Sequence, residues 1–230
     1  MTPMHHRLIV ALDVPTVEQA RAMVARLGDT VTFYKVGMWL FFDRAVHVLI
    51  DELIAAGKQV FLDYKMYDIP ETVRHGVAAV AARGVRIVTV HGDPEIVAAA
   101  ADAARGTELM VFAITVLTSQ DDASLRAMGY DRTVPELVRL RAAAAGQAGA
   151  RGLIASAADD LDALRSAAGG AVRIATPGIR MPSDAVGDQK RVATPGAAIR
   201  RGADYLVVGR PITQPADPDA AAPAVLADKE

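Results

Sequence analysis

Residues 61–72 read FLDYKMYDIPET and carry an acid, a base and a second acid, Asp63, Lys65 and Asp68, within six positions. The residues before them are apolar, so the charges fall at the end of a stretch that reads as a buried strand. A charge there is costly unless it is paired or used. Asp63 and Lys65 are two apart, which on a strand turns both side chains to one face. Asp68 lies beyond any regular strand pattern, because Pro70 pushes Ile69 to extended geometry and opens a helix. It belongs on a rim, leaning over its own site or projecting into a neighbour's. A second group suits anion binding: TPGIR at 176–180 and VVGRPIT at 207–213 bring glycines together with Arg180 and Arg210. Gly209 lets backbone approach an anion, and a guanidinium fork matches phosphate oxygens.

The elements that must hold these residues alternate along the chain. Apolar runs at 7–14, 32–38, 59–65, 85–92, 107–119, 151–156, 172–180 and 204–213 are each followed by an alanine-rich stretch with helical spacing. Thr16 reads as an N-cap with Glu18 in the first turn, Pro70 opens a helix closed by Gly84, and a long helical region at 121–148 is interrupted near Gly129 and Pro135. Continuous apolar strands alternating with helices imply a parallel sheet buried on both faces. Eight such units with no linker between them point to an α/β fold, a single-domain (β/α)8 TIM barrel spanning 1–230. A doubly wound open sheet is the alternative, and the absence of a GxGxxG turn after the first strand weighs against it.

Reactive groups of such a barrel sit at the C-terminal strand ends. Those ends hold Asp13, Lys35, Asp63 with Lys65, His91, Thr118 with Ser119, Arg180 and Arg210. Each has a plain reading beside the functional one. Asp63 and Lys65 make a structural ion pair, Lys35 a snorkelling rim lysine, Asp13 a helix cap, and His91 a packed histidine; the WLFF run at 39–42 reads as core. Four charges from three strands converging on one mouth favour a site. The loops after the seventh and eighth strands are a usual place for a phosphate, and the polar loop around 178–190, with Gln189, has the composition of a lid over it. A phosphorylated substrate is the expectation.

Composition narrows the classes. The chain has 230 residues, 52% of them apolar, and a formal charge of −2. That gives no basic footprint for nucleic acid and no polybasic patch for a membrane. With no cysteine, disulfides, thiolate metal sites and cysteine nucleophiles are excluded. The first residues, MTPMHHRLIVALDV, lack a signal pattern and the apolar run is too short to span a bilayer, so a soluble cytoplasmic protein is expected.

The run D-x-K-x-x-D-I-P-x-T from Asp63 to Thr72 resembles the signature of the orotidine 5′-phosphate decarboxylase family. The resemblance extends nearly end to end, through ALD at 11–13, KVG at 35–37, LTS at 117–119, TPGIR at 176–180, GDQKR at 187–191 and VGRPI at 208–212, all in the family's order. VHGDPE begins at Val90, with His91 in it, where many relatives carry a more glycine- and alanine-rich stretch. The resemblance implies a (β/α)8 barrel working as a homodimer on orotidine 5′-monophosphate, without metal or organic cofactor. It implies Asp13 and Lys35 on the ribose hydroxyl side, and Asp63 and Lys65 at the C6 carboxylate. It also implies Asp68, Ile69 and Thr72 reaching the partner's site, Thr118 with Ser119 near the pyrimidine, and Arg180, Gln189, Gly209 and Arg210 on the phosphate.

Metal-dependent sugar-phosphate decarboxylases and synthases share a D-x-K-x-x-D strand but need an acidic ligand at the second strand's end. Lys35 stands there instead and repels a divalent cation. A non-catalytic nucleotide binder is the alternative from another class, and a scaffold the third. Mere binding has no need of a buried carboxylate beside an anionic substrate.

Overall fold

The computed structural model describes residues 6–182, 184, 191–214 and 217–228. Eight parallel strands close on one another in chain order: β1 (Leu8–Ala11), β2 (Phe33–Gly37), β3 (Gln59–Met66), β4 (Ile87–His91), β5 (Met110–Ile114), β6 (Gly152–Ile154), β7 (Arg173–Thr176) and β8 (Tyr205–Val208), with β8 paired back to β1. Helix α1 (Val17–Leu27) follows β1, and α2 (Met38–Phe41) and α3 (Val46–Ala55) follow β2. Then α4 (Pro70–Ala82) follows β3, α5 (Pro94–Ala103) β4, α6 (Asp122–Ala127) and α7 (Val134–Gln147) β5, and α8 (Leu161–Ala167) β6. Finally α9 (Pro195–Arg200) follows β7, and α10 (Arg210–Thr213) and α11 (Pro218–Ala227) follow β8. The fold is the (β/α)8 barrel that the alternation implies.

Strand alternation divides the core in two. Ile9, Phe33, Phe61, Ile87, Phe112 and Val207 fill the barrel interior, while Val10, Val36, Leu62 and Val88 face the helices. Burying a side chain of this size contributes roughly 1.5–3 kcal/mol. Phe112 needs the bare backbone of β6, since a Cβ on Gly152 would come 2.3 Å from its ring. Local signals place the helices: Thr16 accepts from the Gln19 N–H at 3.3 Å, and Pro70 opens α4. A Thr133–Glu136 capping box starts α7 after the break that Gly129 introduces. The alanine-rich C-terminal segment closes the ring against α1, with Arg26 3.2 Å from Asp219.

Four expectations are corrected. The fifth strand stops at Ile114, so Thr118 and Ser119 lie in the following turn rather than at a strand end. The seventh stops at Thr176, because Pro177 has no N–H and Gly178 takes φ +78, which leaves Arg180 in the loop beyond. The eighth stops at Val208, and Arg210 opens the single turn α10 instead of continuing the strand. The run at 39–42 is not core: Leu40 is buried, whereas Trp39 is 64% and Phe42 84% exposed. A one-turn helix at the barrel mouth has only one side against the protein, so its other aromatics face outward. Among the described residues no helix is long and apolar enough to cross a membrane.

Candidate functional site

A cavity of about 680 Å3 opens at the C-terminal end of the barrel, within the range of small-molecule sites. One wall is ionic. Lys35 Nζ lies 3.0 Å from Asp13 Oδ1 and 3.4 Å from Asp63 Oδ2, and Lys65 Nζ lies 2.9 Å from that same Asp63 oxygen. Asp63 Oδ2 therefore bridges two ammonium groups supplied by adjacent strands. Lys35 is no snorkelling rim lysine, since only 7% of it is exposed. Asp13 caps no helix: the first turn of α1 is held by Thr16 and by Asp43, which accepts from the Val17 N–H.

Charge is tightly held here. Burial works against ionised Asp63, and Lys35, then Lys65, outweigh it, helped by hydrogen bonds from Lys65 and Thr89; the carboxyl sits below the usual aspartate range. Burial likewise opposes the Lys35 ammonium, and Asp63 with Asp13 overcomes it, so this lysine titrates above its ordinary value. Gly37 makes the arrangement possible. A Cβ there would lie 2.9 Å from Lys35 Nζ and 3.2 Å from Asp13 Oδ1, inside the ion pair.

Strand alternation is not what turns Lys65 toward Asp63. The β3–β4 register shifts between Leu62 and Met66, and Lys65 takes φ +48, the left-handed region that non-glycine residues seldom adopt. Asp63 reaches the mouth in regular pairing with Gly37 of β2, and the irregular turn at Lys65 brings the second side chain beside it. The residue that the sequence does not single out is Thr89 on β4, fully buried, whose Oγ1 donates to Asp63 Oδ1 at 2.9 Å and accepts from the Lys65 N–H at 3.0 Å. Its position two before His91 in IVTVH, on the inward face with Ile87, is the signal that marks it.

Thr118, Ser119, Arg180, Gly209 and Arg210 also line the cavity, alongside Ile114, Trp39 and Met38. Arg180 is nearly buried, and its backbone is tied to Ala193 by the Arg180 N–H at 2.9 Å. Gln189 and most of the loop around 178–190 lie outside the described residues. Asp68, Ile69 and Thr72 are exposed and do not line this cavity; Asp68 Oδ1 accepts from the Ile69 N–H at 2.7 Å. His91 is packed, its ring 4.4 Å from that of Tyr67, with burial and Arg141 lowering its pKa against Asp93.

Fold and sequence define an enzyme of the (β/α)8 class, with two lysines and two aspartates gathered at its C-terminal mouth. The family model described as "Orotidine 5'-phosphate decarboxylase / HUMPS family" matches residues 6–225. An orotidine 5′-phosphate decarboxylase of Bradyrhizobium sp. is 50% identical over 222 residues, covering 96% of this chain and 90% of that protein. The one from Afipia carboxidovorans is 49% identical over 96% of this chain and 94% of its own. The crystal structure of orotidine 5′-phosphate decarboxylase from Lactobacillus acidophilus superposes with a TM-score of 0.82 at 36% identity, covering 95% of this chain and 96% of that one. The chain belongs to the orotidine 5′-phosphate decarboxylase / HUMPS family.

The ionic wall makes a prediction about stability. Asp63 has a depressed folded-state pKa, so its contribution is complete above the unfolded value of about 3.9 and is lost as pH falls through the folded value. Replacing it by Asn leaves two ammonium groups facing each other and should cost about 3 kcal/mol at neutral pH. In urea unfolding, the gap between wild type and Asp63→Asn should hold from about pH 5 to 8 and narrow below about pH 4.

Proposed function

We propose that the chain removes CO2 from C6 of orotidine 5′-monophosphate and releases UMP, a step of pyrimidine biosynthesis, using Lys65 as the group that stabilises and protonates C6. The observation that carries this reading is the Asp63 oxygen shared by Lys65 and Lys35 on the cavity wall. It sits in a chain about half identical to decarboxylases named for that substrate.

When the C6–carboxylate bond breaks, CO2 departs and the electron pair stays on C6, in the plane of the ring. It cannot spread into the ring carbonyls, so stabilisation has to be electrostatic. A fixed ammonium beside C6 supplies it, and Lys65 then passes a proton to C6 and recovers one from solvent. Asp63, kept anionic at neutral pH, lies against the departing carboxylate. Two such charges about 4 Å apart repel by about 4 kcal/mol at an effective dielectric near 20, and the repulsion ends when CO2 leaves. Stabilisation of the carbanion by Lys65 contributes more to the rate than this repulsion does. The Lys35 ammonium already lies between Asp13 and Asp63, the place a divalent cation would need, which argues against metal-dependent sugar-phosphate chemistry.

In this reading Asp13 and Lys35 hold the ribose hydroxyls, Thr118 and Ser119 the pyrimidine edge, and Arg180, Gly209 and Arg210, with Gln189, the phosphate. Binding energy gathered at the phosphate serves to hold the reacting end in its repulsive arrangement. Asp68, Ile69 and Thr72 complete the site of a second subunit in a homodimer. Two features support this: all three are exposed outside their own cavity, and they adjoin an apolar rim where Tyr67 and Ile69 are each 67% exposed.

Loss of ultraviolet absorbance on mixing protein with orotidine 5′-monophosphate in EDTA tests the activity. Wild type should turn over, and Lys65→Ala should lose at least about a thousandfold in kcat, as expected when the charge that stabilises the transition state is removed. Turnover that needs added Mg2+ would contradict the proposal. The dimer has its own test. Inactive Lys65→Ala mixed with inactive Asp68→Ala should recover up to about a quarter of wild-type activity, by forming one intact site per heterodimer. No recovery after verified subunit exchange would return Asp68 to its own subunit's site.

A further inference from the structure

We infer that Thr89 is a positioning residue for this site, its single hydroxyl setting both the rotation of the Asp63 carboxylate and the left-handed backbone turn that presents Lys65. The inference rests on the decarboxylase reading for its kinetic readout and on the ionic wall alone for a second one.

A hydroxyl has one proton and two lone pairs. On Thr89 one lone pair is taken by the Lys65 N–H at 3.0 Å, and the proton goes to Asp63 Oδ1 at 2.9 Å. The two oxygens of Asp63 are thereby given separate tasks: Oδ1 is held by Thr89, and Oδ2 is left to both ammonium groups. Without the first bond the carboxylate is free to rotate about its own axis, and the shared oxygen loses its fixed place between Lys35 and Lys65. The second bond answers a different need. The register shift between Leu62 and Met66 interrupts the ladder at Lys65, and a φ of +48 is unfavourable for a lysine and persists only where its surroundings enforce it. Thr89 takes the N–H at that point, from a fully buried position on the neighbouring strand. One hydroxyl therefore couples the direction of the base to the rotation of the acid's carboxylate, and the regular pairing that points Asp63 inward sets neither of these. Arg180, Gly209 and Arg210 follow β7 and β8, which stand across the closed ring from β4. Nucleotide affinity and turnover should therefore respond differently to loss of the Thr89 hydroxyl.

The test compares Thr89→Val, which keeps the shape and removes the hydroxyl, with Thr89→Ser, which keeps the hydroxyl. Thr89→Val should lower kcat about 10- to 100-fold, the usual effect of losing a group that orients a reactive one, while the Kd for UMP stays within about threefold. Thr89→Ser should stay within about threefold of wild type in both. The acid limb of the kcat profile should also move to higher pH in Thr89→Val, because Asp63 loses a bond that favours its ionised form. If Thr89→Val does not fold, Thr89→Ala takes its place beside Thr89→Ser. Wild-type kcat in the hydroxyl-free variant, or an equal fall in both variants with UMP binding intact, would overturn the inference. Should wild type fail to turn over orotidine 5′-monophosphate, the decarboxylase reading falls, and the urea profile decides this one. There the acid-side loss of stability should be smaller, and complete at higher pH, in Thr89→Val than in wild type, because the Asp63 folded-state value rises toward the unchanged unfolded one; superposition of the two curves would overturn it.

Discussion

One carboxylate oxygen organises the mouth of this barrel. Asp63 Oδ2 accepts from Lys65 and faces Lys35, so two positive charges that would repel each other are held within one wall of a partly closed cavity. Remove that oxygen and the lysines have no reason to converge. Keep it, and both are held where the proposed anionic substrate must enter. The second aspartate, Asp13, takes up the remaining demand of Lys35. The result is alternating charge from three consecutive strands of the ring, β1, β2 and β3, with Asp13 just past the end of its strand and the others on theirs.

The barrel is what makes such a wall affordable. Parallel strands buried on both faces put their chain ends in one plane, and the apolar filling of Phe33, Phe61, Phe112 and Ile87 beneath that plane excludes water from below. Of the charges above it, Lys35 and Asp63 are stabilised chiefly by their neighbours, while Asp13 and Lys65 also meet solvent. The same packing explains two glycines. Gly152 leaves room for Phe112 inside the barrel, and Gly37 leaves room for the Lys35 ammonium beside Asp13. Their role is space, and neither takes a left-handed backbone.

Much of this is legible in the chain alone. The alternation of apolar runs with alanine-rich helices shows a parallel α/β fold, and its eightfold repetition favours the barrel over an open sheet. Asp13, Lys35, Asp63 and Lys65 stand out because charge at a buried strand end is unfavourable, and a departure of that kind is visible in composition. Local geometry is a different matter. A strand's end depends on where hydrogen bonding fails, so β5, β7 and β8 run shorter than their apolar runs, and Arg180 and Arg210 fall in loop and helix. A left-handed lysine has no sequence signal, because the residue that normally marks that conformation is glycine. Thr89 is hidden for the opposite reason: threonine in a strand is so ordinary that its type says nothing about a second duty. The WLFF run misleads because apolar character predicts burial only where a partner surface exists.

The most direct test of the central claim uses the product rather than the substrate. If Lys65 protonates a C6 carbanion, the reverse step must also occur, and UMP bound in deuterium oxide should exchange its C6 hydrogen. Proton NMR of UMP with wild-type protein should show loss of the H6 signal while the neighbouring ring and ribose signals stay constant, and Lys65→Ala, binding UMP, should leave H6 intact. Exchange that continues undiminished in Lys65→Ala would contradict the account, as would an unchanging H6 signal with a wild-type protein that decarboxylates normally.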